Sequence, residues 1–255
     1  MTRCVYIASS EWQVSKSAVA LGVLELFARQ VRSVGFFRPL VQSLQEDGIT
    51  TALLATDTLR HQSLEDSIGV SYEDWANDPD AAIDTIVAKY SALAERFEAI
   101  VIVGSDFDDL TYGTELDHNA LIAANLNAPV LYVCRASERS IDEVCRMAEE
   151  SIEAFEARHN TIVGIIATRA EPEISEELSS ALREVRDVPV SVLSANPVLD
   201  APSVGQHFEA VDATLWRGTP ESLNREALTT IIAGMSLPNL LPRLQKEATV
   251  IVPAD

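Results

Sequence analysis

Short apolar runs and segments of helical period alternate along the chain from its first residues to Ser194. Residues 3–8 (RCVYIA), 33–37 (SVGFF), 99–103 (AIVIV), 129–134 (PVLYVC), 161–168 (TIVGIIAT) and 189–193 (PVSVL) read as strands. Residues 16–29, 81–97, 114–126, 141–158 and 173–185 carry apolar side chains at helical spacing. The AIVIV run has no polar position, so its strand needs apolar cover on both faces. Repeated strand–helix units of this kind predict an α/β domain, a parallel sheet with helices on both faces. Pro39 is expected to stop the second strand. Thr114, with Asp117 three residues on, is expected to cap the helix after AIVIV.

The texture changes after Ser194. Residues 196–203 (NPVLDAPS) hold two prolines and read as a linker. Helical pieces are expected at 221–233 and 237–245, then a strand at 248–252 (ATVIV) whose apolar residues find no sheet neighbour in the chain. The predicted organisation is a phosphate-loop-like α/β domain over residues 1–203. Residues 204–255 are expected to begin an incomplete middle domain, cut at Asp255.

Composition narrows the functions. Hydrophobic residues make up 47% of 255, enough for a sizeable core. The net charge of −20, from 39 acidic and 19 basic residues, repels a phosphate backbone and argues against nucleic acid as a partner. It also disfavours an anionic substrate site unless a local basic patch offsets it. Cys4, Cys134 and Cys145 form no C-x-x-C pair, and Cys4 and Cys134 read as small core residues. His61, His118, His159 and His207 have no metal-ligand spacing. Met1-Thr2-Arg3 leads straight into a strand without a signal peptide's apolar stretch, and no run reaches the length of a membrane span. The expectation is a cytoplasmic, reduced protein with no membrane partner.

A strand, a polar loop, Lys-Ser and a helix form the layout of a phosphate-binding loop, G-x-x-x-x-G-K-[ST]. Here the loop reads SSEWQVSKS over residues 9–17. Lys16 and Ser17 stand where the phosphate lysine and the magnesium-binding hydroxyl belong. Both glycine positions, Ser9 or Ser10 and Ser15, are serines, which reach glycine's backbone conformations only with strain. Glu11 adds a negative charge. One reading is a site for ATP and magnesium built on Ser9, Ser15, Lys16 and Ser17. The other, which is the expectation, is a loop that kept its geometry and lost its ligand. After AIVIV, Asp106, Asp108 and Asp109 follow closely. Asp106 is a candidate metal ligand, but neutralising Lys16 or shaping a turn is the commoner use. Trp12 either fills the phosphate cavity or stacks on an effector. Arg38 either meets an anionic effector or pairs with Asp106 or Glu11.

Several stretches carry a resemblance: TRCVYIASSEWQVSKSAVALGVLELF with VGFFRP, AIVIVGSDFDD, TELDHNALIAANLNAPV and NPVLDAPSV. Together they resemble the amino-terminal region of the long bacterial phosphate acetyltransferases, most closely the actinobacterial forms. VGSDFDD followed by TELDHNALIAANLNAPV is the most specific part. The resemblance implies a dethiobiotin-synthetase-like phosphate-loop domain, then a middle domain opening near residue 205, then an acyltransferase domain outside this sequence. It implies a homo-oligomeric enzyme whose remaining domains are this region's partners, and a small-molecule effector. It assigns no acetyl-transfer residue here. Where dethiobiotin-synthetase-like enzymes carry a magnesium-binding acid this chain has Gly104, and where they carry a base-positioning Asn it has Thr168.

Three functions compete. The expected one is a regulatory or assembly region of phosphate acetyltransferase, without catalysis of its own and without a cofactor. The alternative is a stand-alone ATP-dependent ligase of the dethiobiotin-synthetase type. The third is an interaction module that offers the charged helix 141–158 to a basic partner, although such a helix is more often a solvated face.

Overall fold

A computed structural model describes residues 3–11, 14–105, 114–196, 198, 201–211, 213–246 and 248–252. Contacts divide the chain into two compact units, Met1–Ser194 and Ala195–Asp255.

The first unit is built on seven parallel strands: β1 (Arg3–Ala8), β2 (Val34–Val41), β3 (Ile68–Ser71), β4 (Ala99–Val103), β5 (Val130–Arg135), β6 (Ile162–Ala170) and β7 (Val190–Ser194). Their order across the sheet is β3-β2-β4-β1-β5-β6-β7, which places β1 at the centre. Helices α1 (Lys16–Ala28), α2 (Gly48–Leu54), α3 (Leu64–Ser67), α4 (Tyr72–Asn77), α5 (Pro79–Arg96), α6 (Thr114–Asn125), α7 (Ile141–Ala157) and α8 (Ser175–Val185) connect them.

The doubly apolar strands behave as their composition requires. Every residue of β4 is fully buried, with Ile100 and Ile102 in one core and Val101 and Val103 in the other. The first core takes Ile86 and Leu93 of α5, Ile122 of α6, Ile152 and Phe155 of α7, and Leu178 and Leu182 of α8. The second takes Val19 and Leu24 of α1 and Leu53 of α2. Tyr6 and Ala8 of β1 enter the first core while Val5 and Ile7 enter the second, the period-two alternation of a strand.

Pro39 does not stop the second strand. β2 pairs with β4 from Val34 to Phe37 and with β3 at Arg38, Leu40 and Val41, so Pro39 lies beyond the pairing to β4. Its missing N–H falls in the gap between the Arg38↔Ile68 and Leu40↔Val70 pairs. Opposite it, a Cβ on Gly69 would collide with the Pro39 carbonyl oxygen, so this close approach requires glycine. The sequence reading had no element between residues 48 and 77, where α2, α3, β3 and α4 stand. Ser71 and Asp74 form a reciprocal capping box at the start of α4. The expected cap at Thr114 depends on residues outside those described.

In the second unit, α9 (Val204–Ala210) starts on a capping box from Ser203 and Gln206. Residues 221–233 are not a helix. A 3-10 turn, Pro220–Asn224, gives way to β8 (Thr229–Ile232), and α10 (Leu237–Leu240) with a 3-10 turn to Arg243 precedes β9 (Ala248–Ile251). β8 and β9 pair in parallel from Thr229↔Ala248 to Ile232↔Ile251. The final strand therefore does have a neighbour, because TTII is a β-branched run whose stiff side chains suit a strand. Ile232 and Ile251, register partners, remain 67% and 51% exposed.

Candidate phosphate-loop site

The C-terminal ends of β1, β4, β5 and β6 meet around the loop that leads into α1. Ser9, fully buried, donates to the Glu11 carbonyl (2.7 Å). Ser10 shares a hydrogen bond with the Tyr132 hydroxyl (2.8 Å), which also bonds Ser151 of α7 (3.1 Å). Glu11 is buried: its carboxylate pairs with Arg139 (2.6 Å) and accepts the Arg135 N–H (3.0 Å). Its charge is thus held by groups at the end of β5.

Thr168 of β6 places its hydroxyl within hydrogen-bond distance of the Val14 carbonyl (3.1 Å) and the Cys134 carbonyl (3.2 Å). At the position where the resemblance implies an asparagine, this threonine ties the loop to two strands. Ser15 adopts φ 59°, ψ 35°, the left-handed conformation that glycine favours, and its hydroxyl accepts from Arg169 (3.4 Å). The loop therefore keeps glycine's backbone shape at Ser15 without glycine.

Lys16 is only 4% exposed. Its ammonium donates to the Ser105 carbonyl (2.5 Å) and the Gly104 carbonyl (3.3 Å) at the end of β4. Ser17, by contrast, is exposed on the first turn of α1. Of the sequence candidates, the fold buries Ser9 and Lys16 and half-buries Ser15, and each is bonded within the protein. Asp106, Trp12 and the proposed Asp106–Lys16 pair lie outside the described residues. Arg38 pairs with Asp47, the N-cap of α2 (3.2 Å); Glu11, suggested as its partner, is taken by Arg139.

Gly104 opens onto a second network that the sequence reading missed. A Cβ there would collide with the Asn119 side-chain oxygen and lie 2.9 Å from the Tyr6 ring. Asn119 accepts from the Tyr6 hydroxyl (2.7 Å) and the Ser105 N–H (3.0 Å), and donates to the Ser105 hydroxyl (3.0 Å). Ser105 in turn donates to Glu115 (2.6 Å), which also accepts from Tyr72 (2.9 Å). Burial, followed by the charges of Tyr72 and Glu115, holds the Tyr6 phenol well above its usual range. The available signal was the i, i+4 spacing of Glu115 and Asn119, which puts both on one face of α6. Near Glu11, burial first and that carboxylate second push the Cys134 thiol up to about 12, so it is an inert core group. Among the described residues no group of three or more His, Cys, Asp or Glu is placed to hold a metal ion, and no helix is long and apolar enough to cross a membrane.

The known proteins to which this chain is similar include two sets. A phosphate acetyltransferase of Synechocystis sp. is 25% identical over 266 residues, and one of Nitratidesulfovibrio vulgaris is 28% identical over 275. Each match covers 100% of this chain and 38% of the relative, so the chain spans well under half the length of the curated relatives it matches. Among solved structures, chloroplast FtsY from Physcomitrella patens superposes with a TM-score of 0.51 at 14% identity, covering 76% of this chain and 58% of that one. MinD of the Aquifex aeolicus MinC:MinD cell division complex gives a TM-score of 0.50 at 13% identity, covering 78% and 84%. At these identities the likeness shows the fold alone, a phosphate-loop NTPase-like α/β domain. A family model described as an AAA domain matches residues 3–203, and the chain belongs to that family, AAA_26.

Proposed function

We propose that this chain is the amino-terminal regulatory or assembly region of a phosphate acetyltransferase, the enzyme that interconverts acetyl-CoA plus phosphate with acetyl phosphate plus CoA. The observation that carries the reading is the match of the whole chain to 38% of two proteins of that activity. On this reading residues 1–203 form the phosphate-loop-like domain and 204–255 open a middle domain. Acetyl transfer belongs to further domains of the polypeptide, which are this region's partners within a cytoplasmic homo-oligomer.

The loop's role in this reading is architectural. Lys16 is turned onto two main-chain carbonyls, and Glu11 is clamped at β5. Ser9, Ser15 and Lys16 then fix the crossing of β1 into α1. The space beside Gly104, where a magnesium-binding acid is implied by the resemblance, is taken by Asn119. ATP and magnesium have no assigned part.

The test uses two proteins. The purified 255-residue chain should form no acetyl phosphate from acetyl-CoA and phosphate above a heat-inactivated control. Deleting the region from a longer phosphate acetyltransferase that contains it should change that enzyme's oligomeric size or its response to metabolites, while acetyl transfer persists. Turnover by the chain alone, or a deletion without effect on either property, would refute the proposal. Release of ADP from Mg-ATP in the presence of a carboxylate substrate would favour the ligase alternative.

A further inference from the structure

At the end of the sheet opposite the loop lies a cavity of about 200 Å³. It is bounded by the C-terminal end of α1, the start of β2 and the turn that runs from Thr58 to Gln62. Its floor is apolar: Val31, Leu59 and Phe97 line it, with Leu59 only 1% exposed. Its polar lining includes Arg32 and His61, both exposed. Arg60 donates from Nε to His61 Nε2 (3.2 Å). Acceptance at Nε2 leaves the ring proton on Nδ1, so His61 presents a donor of its own.

The charges around this rim have an unusual disposition for a chain of net charge −20. Two acids, Glu25 and Glu98, bond to residues that line the cavity, and neither is paired with a guanidinium among the described residues. Glu25 accepts from the Thr58 hydroxyl (2.9 Å), and Glu98 accepts the main-chain N–H of Arg32 (3.2 Å). Arg32's guanidinium has no ion-pair partner among the described residues, and Arg29 stands three residues before it. Carbonyls at the end of α1 account for a cation such as Arg29. They do not account for His61, which lines the cavity from a different segment with Arg60 bonded to it.

We propose that this cavity binds a small carboxylate, whose carboxyl group meets Arg32 and His61 and whose short apolar body lies on Val31, Leu59 and Phe97. The arginine fork matches a carboxylate's two oxygens. At about 30 Å³ for each water-sized group, the space of about 200 Å³ admits roughly six or seven such groups, which bounds the ligand at about five carbons beside its two carboxyl oxygens. Arg32 supplies the local cation that an anionic ligand needs on so acidic a protein, with His61 as a second donor. α1 joins it to the loop: thirteen residues, or about 20 Å, separate the cavity from Lys16. Its designation as an effector site rests on the regulatory reading above; its existence does not.

Titration of the full chain with propionate, followed by NMR, tests the site, with inorganic phosphate as the second arm. Propionate should bind saturably, with shifts centred on Arg32, His61 and Phe97. Arg32→Gln and His61→Gln, both at exposed positions, should each weaken binding at least tenfold without changing the melting temperature. Arg186→Gln, which breaks an exposed pair with Glu156 elsewhere, should leave it unchanged. Absence of saturable binding up to about 10 mM, equal affinity in the Arg32 and His61 variants, or tighter binding of phosphate than of propionate would each overturn the assignment. Because binding is read directly, these outcomes are separate from failure of the regulatory reading. A bound carboxylate that leaves acetyl transfer in a longer protein unaltered would remove the effector role and keep the site.

Discussion

Ser15 carries the left-handed backbone of a phosphate loop without glycine's freedom to adopt it. A non-glycine residue there is strained by about 1 kcal/mol or more, while glycine costs a little extra entropy on folding. Ser15→Gly should therefore raise stability by about 1 kcal/mol in urea denaturation; a loss would show that the Arg169 contact outweighs the strain. Lys16 tests the opposite case. Replacing it with methionine removes its donors from two main-chain carbonyls inside the fold, and should destabilise by about 1–3 kcal/mol. A phosphate lysine poised for an absent ligand would lose almost nothing. Lys16 and Ser15 were legible as loop residues because strand–loop–Lys-Ser–helix is a local pattern. What they bond to was not, since the carbonyls of Gly104 and Ser105 lie far away in sequence. Gly104 illustrates the same limit. It reads as the loss of a metal-binding acid, whereas its immediate physical reason is that Asn119 and Tyr6 fill the space. Gly104→Asp should lower stability by about 1–3 kcal/mol through overpacking and leave magnesium binding undetectable by calorimetry.

At the scale of elements, the strands of the first unit were legible where both faces are apolar. AIVIV, RCVYIA and TIVGIIAT need no tertiary information to be read as buried parallel strands. β3 escaped because IGVS is four residues long, contains a glycine and borrows its place from β2. β8 escaped because a helical reading of residues 221–233 ignored the β-branched run at its end. The β8–β9 pair is now the element with the clearest dynamic consequence. Its strands are parallel, a pairing that globular folds bury on both faces, yet no residue of either strand is buried. Hydrogen exchange should accordingly be much faster at residues 229–232 and 248–251 than at Ala99–Val103. Equal protection in a monomeric sample would mean that these strands are covered by other parts of the chain.

For the molecule as a whole, the central claim is that a phosphate-loop architecture has been retained for its shape. Six described loop and loop-flanking residues, Ser9, Ser10, Glu11, Val14, Ser15 and Lys16, each bond to partners within the protein. The ties reach β4, β5 and β6, so the loop locks the middle of the sheet to α1. ATP binding would need Lys16 to leave its carbonyls and the serine-bearing loop to open around the phosphates. Calorimetric titration of the chain with Mg-ATP tests this most directly. The predicted dissociation constant is weaker than about 1 mM, or roughly −4 kcal/mol, and unchanged in Lys16→Ala. A micromolar dissociation constant that Lys16→Ala abolishes would contradict the account and show a working nucleotide site.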